Sequence, residues 1–324
     1  MKISVVGAGI MGLATAHALQ RRGHSVTVYE QFSPGHENGS SHGNSRIVRK
    51  AYPESFYTEI MADAYPLWQE FQRRFETQIL FECGLLYFGE RDSKNLADVL
   101  AGLEGVDEPY ELVEAGRFAG PCLDRNQVGI FTPRAGWVHA AQVMACLRDS
   151  VHEIRYDPAD LVHCDRYVLC PGRWISDWVP ELPVTPSKQV YGYFELESPL
   201  EGPVWIHDSP ELFYGFPSEP GSSKVKVGYH APGATEAEQQ ASLLMEAQRR
   251  FGHARGASLH ECWYTNTPDR DFRWGHHQDR GFWLSACSGH GFKFAPWLGE
   301  KMADFVEEKD EPERTPRFCS GTER

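Results

Sequence analysis

Four short stretches concentrate the side chains able to act on a small molecule. In HECWYTNTPDRDF, residues 260–272, Cys262 stands in a chain whose cysteines form no pattern. Taken alone it reads as a buried free thiol, common in protein cores. In KVKVGYH, residues 224–230, a strand would send Lys224, Lys226 and His230 to one face and Val225, Val227 and Tyr229 to the other. On composition, that is an edge strand with a wet basic face. In SHGNSRIVRK, residues 41–50, Arg46 and Arg49 lie three apart. On a helix both guanidinium groups would share one face and form a fork for a carboxylate or similar anion. The same glycine- and serine-rich run also reads as a solvated connection. SGHGFK, residues 288–293, adds Lys293 just before an evident helix, 295–308.

Such groups need a scaffold, and the first thirty residues supply a recognisable one. KISVVGAGIMGLATAHALQRRGHSVTVYE predicts a strand over Ile3–Val6, the turn Gly7-x-Gly9-x-x-Gly12 and a helix carrying Ile10, Leu13, Ala14 and Leu19 on one side. Gly23 ends the helix, and a second strand, Val26–Tyr29, stops at Glu30. Gly7 makes the tight turn, Gly9 lets a pyrophosphate approach the backbone, and Gly12 lets helix and strand pack closely. A diphosphate is favoured at the helix N-terminus by free N–H groups and the macrodipole. Glu30 lies 18 residues after Gly12, where an acid can accept hydrogen bonds from a ribose. The unit predicts dinucleotide binding and leaves NAD or FAD open.

Composition bounds the rest. The 324 residues are enough for two domains, and 41% apolar with 24% charged residues describes an ordinary globular chain. A net charge of −13 argues against a nucleic-acid partner. No apolar run approaches the ~18 residues that cross a bilayer, and the opening stretch reads as strand and turn instead of a secretion signal. The cysteines at 83, 122, 146, 164, 170, 262, 287 and 319 include no CxxC pair, which suggests neither a disulfide framework nor a zinc site and fits a reducing cytoplasm. The tail DEPERTPRFCSGTER, 310–324, is polar enough to be loosely ordered and without a role.

Read together, GAGIMG, SHGNSRIVR, LFYGFPSEPGSSKVKVGYH, ECWYTNTPDRDF and SGHGFKFAPWLGE resemble, in order, the monomeric sarcosine oxidase and N-methyltryptophan oxidase family. These are FAD-dependent amine oxidases related to D-amino-acid oxidase. The resemblance implies an α/β fold, a Rossmann-like FAD domain (1–81, 134–178 and 270–324) interleaved with an α+β substrate domain on an antiparallel sheet (82–133 and 179–269). It implies FAD joined through a thioether at Cys262, bound also by Gly7, Gly9, Gly12, Glu30 and His42, with Arg46 against the flavin opposite the substrate. Gly289, Gly291, Phe292 and Lys293 would lie at the ring, ahead of a helix whose amides favour negative charge there. Lys226, with His230, would activate oxygen; Arg49 and Lys293 would hold the substrate carboxylate. Tyr214 and Tyr264 match aromatics around the amine, though core tyrosines with satisfied hydroxyls read equally well.

The implied activity is oxidation of a secondary amino acid, N-methyl or cyclic, by hydride transfer to flavin. An imine results, and oxygen returns the flavin to its oxidised form as hydrogen peroxide is released. The implied partners are a small amine and oxygen, with no nucleic acid and no membrane, and the implied state is a monomer. A flavin dehydrogenase, or a tailoring oxidase of a larger amine or imine, is the alternative. A flavin-containing assembly subunit without turnover would lack a substrate pocket, and retention of Arg49 and Lys293 opposes it. Three departures matter. HEIRYDPADLVH, within 151–164, replaces a longer excursion and predicts thinner cover over the adenosine half. Trp263, beside Cys262, predicts a reshaped pocket, so sarcosine itself is not the expected amine. In DRYVLCPGRW, Cys170-Pro171 stands where the family has alanine before its glycine turn.

Overall fold

Strand β1 (Lys2–Val6), helix α1 (Ile10–Arg21) and strand β2 (Ser25–Tyr29) open the chain as its glycines predict. The computed structural model describes residues 1–114, 118, 123–230, 233–252, 254–285 and 287–319. Onward from β2 come β3 (Ser45–Val48), α2 (Ser55–Phe75), β4 (Leu80–Phe81), β5 (Leu85–Glu90), α3 (Lys94–Gly105) and β6 (Glu111–Val113). Next are β7 (Gln127–Thr132), β8 (Gly136–His139), α4 (Ala140–Ser150), β9 (Ile154–Arg155) and β10 (Arg166–Leu169). The remainder holds β11 (Thr185–Glu195), β12 (Val204–Asp208), β13 (Leu212–Phe216), β14 (Lys224–His230), α5 (Glu236–Phe251), β15 (Gly256–Asn266), β16 (Arg273–His277), β17 (Gly281–Ser285) and α6 (Ala295–Val306).

The strands form two main sheets. One runs β16-β17-β10-β1-β2-β9, parallel throughout except for β16 against β17. Its strands are short and apolar because helices cover them: Val5, Val28 and Val168 are fully buried against α1, α4 and α6. Gly299 lets α6 close on α1, since a Cβ there would come 2.7 Å from the Ala14 carbonyl. The other sheet runs β15-β11-β14-β13-β12-β5-β7-β6 and is antiparallel apart from β5 beside β12. Helix α5 starts on a Thr235–Glu238 capping box and buries Leu243 and Ala247 against Val190, Val225 and Val227. A small antiparallel sheet, β3-β8-β4, joins the two. This is an α/β fold in which a largely parallel dinucleotide-type sheet alternates along the chain with an antiparallel one. No helix among the described residues is long and apolar enough to cross a membrane.

Four expectations need correction. The Arg46–Arg49 segment is no helix: β-branched Ile47 and Val48 pair with Trp137 and Gly136 of β8, so the run is extended and the two arginines share no helix face. Strand β14 is no wet edge, because β11 and β13 flank it, and Lys226 is 4% exposed. Strand alternation turns Trp263 away from Cys262 and Tyr264, and its ring packs on Arg173 (4.3 Å) and Lys188 (5.8 Å), so it does not reshape the pocket. The tail packs on the body over 310–319, because Phe318 is fully buried against Phe56, Phe272 and Trp274; 320–324 lie outside the described residues. The short 151–164 segment supplies only the two residues of β9 and then a loop with Tyr156 and Val162 exposed. Cys83, Cys146, Cys164, Cys170, Cys262, Cys287 and Cys319 are free thiols; Cys122 lies outside the described residues.

Candidate active site

At the open end of the parallel sheet, the glycine turn has the shape its sequence requires. Gly7 has φ of 99°, and a Cβ there would overlap the Cys170 carbonyl. A Cβ on Gly12 would overlap the Gly7 carbonyl oxygen, while Gly9 is extended and meets only Ser41 Oγ at 3.3 Å. Gly9 caps α1 without a side-chain bond, so the helix start presents backbone N–H groups; Ile10 N–H donates to Ser41 Oγ at 3.0 Å. The buried Glu30 carboxylate accepts from Ala8 N–H (2.8 Å) and Phe32 N–H (3.0 Å), fixing the turn against the end of β2.

Across from this turn, Cys262 and Lys226 lie together. Cys262 is 7% exposed on β15, and burial pushes its thiol pKa up while Arg46 and Lys226 pull it back. Lys226 donates to the Ser45 carbonyl at 2.9 Å, with Tyr191 and Phe216 ring centroids at 4.6 and 5.0 Å. Burial, then the Arg46 charge, holds its pKa well below the ordinary lysine value. Arg46 donates to the carbonyls of Ser40 (2.9 Å), His42 (2.6 Å) and Ser45 (2.9 Å) and lies 5.5 Å from the Phe292 ring centroid. His42 is lowered by burial and by Arg46, so it is neutral near pH 7.

A second group faces the first. Arg49 stacks on Tyr52 (3.9 Å) with Tyr87 at 6.0 Å. Lys293, 8% exposed, donates to the His290 carbonyl at 2.9 Å, and burial, then Arg49 and Arg46, depress its pKa strongly. Trp68 Nε1–H donates to the Lys293 carbonyl at 2.7 Å and fixes that turn. Burial lowers His290 to about 3 and His230 to about 4, so both are neutral imidazoles at pH 7. His230 stacks on Tyr264 at 5.5 Å, and the Tyr264 and Tyr214 hydroxyls interact. Burial and the neighbouring Cys262 push Tyr214 up to about 12. Gly289, with φ of 78°, is where a Cβ would overlap the Tyr264 ring, and one on Gly291 would overlap Cys287.

The structure therefore gathers Arg46, Arg49, Lys226, His230, Cys262, Tyr264 and Lys293 from four separate stretches, and places Gly7, Gly9, Gly12 and Glu30 at the helix start next to them. Among the described residues, no carboxylate is ion-paired with Arg46, Arg49, Lys226 or Lys293. Both ring nitrogens of His42, Arg49 Nη1, His290 Nδ1 and Tyr52 Oη are buried without a hydrogen-bond partner. Buried polar atoms are ordinarily satisfied. A glycine-lined helix start running into cations and unpartnered polar atoms fits a long anionic group with a polar ring, as FAD is. Sequence reasoning missed Tyr52 and Tyr191, whose only signal was a tyrosine three residues after Arg49 and another on the strand paired with Cys262.

A family model described as FAD dependent oxidoreductase matches residues 2–305. The chain belongs to this family. The oxidoreductase is similar to N-methyl-L-tryptophan oxidase of Escherichia coli O81 (strain ED1a), 30% identical over 94% of each chain. It is 29% identical, with the same coverage, to the enzyme so named in Shigella boydii serotype 18 (strain CDC 3083-94 / BS512). Among solved structures, NikD, an unusual amino acid oxidase essential for nikkomycin biosynthesis, superposes with TM-score 0.81 at 22% identity, covering 99% of this chain and 98% of that one. Glycine oxidase from Geobacillus kaustophilus gives 0.81 at 19% identity, covering 99% of both. The two likenesses show a shared two-domain fold. The oxidoreductase uses FAD and acts on amino acids or amines.

Proposed function

We propose that this oxidoreductase oxidises a secondary amino acid, N-methyl or cyclic, with oxygen as acceptor and FAD attached through Cys262. The observation that carries the reading is the meeting of Arg49 and Lys293 with Lys226 around Cys262 and Tyr264. When bound, FAD supplies the two-electron chemistry: hydride uptake from the carbon beside nitrogen, leaving an imine, and return of the electrons to oxygen as hydrogen peroxide. The chain's own groups bind and orient. Arg49, with Nη1 unpartnered, and Lys293 take the substrate carboxylate between them, and the anion restores the charged form that burial disfavours in Lys293. Tyr264, Tyr214 and the neutral His230 form a buried, uncharged wall with no carboxylate to hold an ammonium, which favours an unprotonated amine. On the Cys262 side, Arg46 supplies positive charge for reduced oxygen, and the negative charge that develops there restores to Lys226 the charged form that burial disfavours. The same cations favour the thiolate that attachment needs.

The relatives named for N-methyl-L-tryptophan support an N-methyl substrate. The FAD domain comprises 1–81, 134–178 and 270–324, and the substrate domain 82–133 and 179–269. That division follows the two sheets, whose strands fall on either side of it. Seven free thiols accord with a reducing cytoplasm, and the enzyme acts there as a monomer. Acid precipitation tests the attachment. Flavin absorbance should stay with the pellet and move to the supernatant in Cys262→Ser; colour released from the unaltered protein would refute a covalent link.

A further inference from the structure

The end of the chain reaches the carboxylate-binding groups. Arg317 forks onto Asp271, with Nε to Oδ2 at 2.7 Å and Nη2 to Oδ1 at 2.8 Å, and also bonds Glu54. Its guanidinium lies 4.6 Å from the Phe56 ring and 5.3 Å from the Tyr57 ring. Asp271 Oδ1 also accepts from the Tyr57 hydroxyl at 2.8 Å, and the carboxylate is 2% exposed. Phe318 packs behind the same residues, 5.4 Å from Phe272 and 5.2 Å from Phe56. These partners belong to two segments. Glu54 and Tyr57 follow Arg49 and Tyr52 into α2; Asp271 and Phe272 lead to His290.

His290 sits between the two segments. It lies on Phe272 (4.8 Å), edge-on to Tyr57 (4.9 Å), and bonds the Arg270 carbonyl through Nε2 at 3.1 Å. Its own carbonyl accepts the Lys293 ammonium at 2.9 Å, while Tyr52 stacks on Arg49. A cation forked on one segment and bonded to the other ties together the segments that carry Arg49 and Lys293. We propose that Arg317, locked by Phe318, is a positioning residue for the substrate carboxylate. The inference rests on the reading of Arg49 and Lys293 as carboxylate ligands. It gives the C-terminal segment a functional role that its composition hides.

The test is titration of the flavin absorbance of the holoenzyme with methoxyacetate, a non-oxidisable carboxylate, and with neutral methoxyacetamide. Arg317→Ala should weaken methoxyacetate about tenfold, the scale of one weakened hydrogen bond to a charged group, and leave methoxyacetamide within about twofold. Equal weakening of both probes, or of neither, would overturn the proposal. Lys293→Met separates the two levels. If it leaves methoxyacetate binding unchanged, the carboxylate reading fails; if it weakens binding while Arg317→Ala does not, only the positioning role fails. Should Arg317→Ala not fold, Arg317→Lys takes its place, keeping a charge on Asp271 without the fork and without the bond to Glu54. A selective loss for methoxyacetate supports the role, and unchanged binding of both probes overturns it.

Discussion

The Lys226 ammonium donates to the Ser45 carbonyl at 2.9 Å, which holds a buried lysine of the antiparallel sheet against the residue preceding Arg46. Two distant stretches of sequence are thereby fixed as one cationic surface beside Cys262. Preorganised charge of this kind is worth about 10²–10³ in rate where negative charge develops. Lys226→Met should slow reoxidation of reduced enzyme by oxygen by about that factor while anaerobic reduction by substrate changes only severalfold. Stopped-flow half-reactions measure both, and an unchanged oxygen reaction would remove Lys226 from that role.

Gly12→Ala tests the nucleotide end. The new methyl would overlap the Gly7 carbonyl oxygen, and backbone cannot yield there without moving β1 from α1. The purified variant should carry little flavin, read from the ratio of absorbance at 450 and 280 nm, whereas Gly105→Ala, with open space around it, should load normally.

Stability should fall between pH 6.5 and 4. Burial depresses His17 and His230 to about 4 and His290 to about 3, against 6.5 for a free imidazole. In that window the unfolded chain binds the extra protons, so folded stability is intact above 6.5 and is lost as pH drops. Each such group adds up to about 1.4 kcal/mol per pH unit to the slope. His230→Gln should flatten the dependence of urea unfolding on pH; an unchanged slope would mean that His230 titrates normally.

Arg173 lies between Trp174 and Trp263, 4.3 Å from each ring, and its Nε donates to the Asn38 carbonyl at 3.0 Å. Ser40 of the same loop bonds the Trp263 carbonyl. Trp263 thus ties the loop before Arg46 to the Cys262 strand from outside the pocket. Trp263→Ala should cost roughly 0.5–2 kcal/mol of stability, the range of a cation–π contact, with KM for substrate little changed. A large KM effect without loss of stability would place Trp263 in the pocket after all.

What the sequence displayed and what it hid divide on physical lines. The Gly7–Gly12 turn is legible because its requirement is local: three missing Cβ atoms inside six residues. Cys262, Lys226, Arg49 and Lys293 were legible only through ordered motifs, since nothing in their spacing brings them together. The helical alternative for Arg46–Arg49 fails because pairing with β8, ninety residues away, decides the backbone. The wet edge expected around Lys226 fails likewise, because a strand's rank in its sheet is set by partners elsewhere in the chain. Arg317 and Phe318 were concealed by the polar residues around them. Their partners, Glu54, Phe56 and Asp271, come from both ends of the sequence.

The most direct test of the account is to follow amine consumption and hydrogen peroxide together in air, with N-methyl and cyclic amino acids as substrates. Equimolar peroxide, lost on adding Lys226→Met, is the predicted result. Flavin that is reduced by the amine and stays reduced in air, with no peroxide, would contradict the oxidase reading and mark the enzyme as a dehydrogenase.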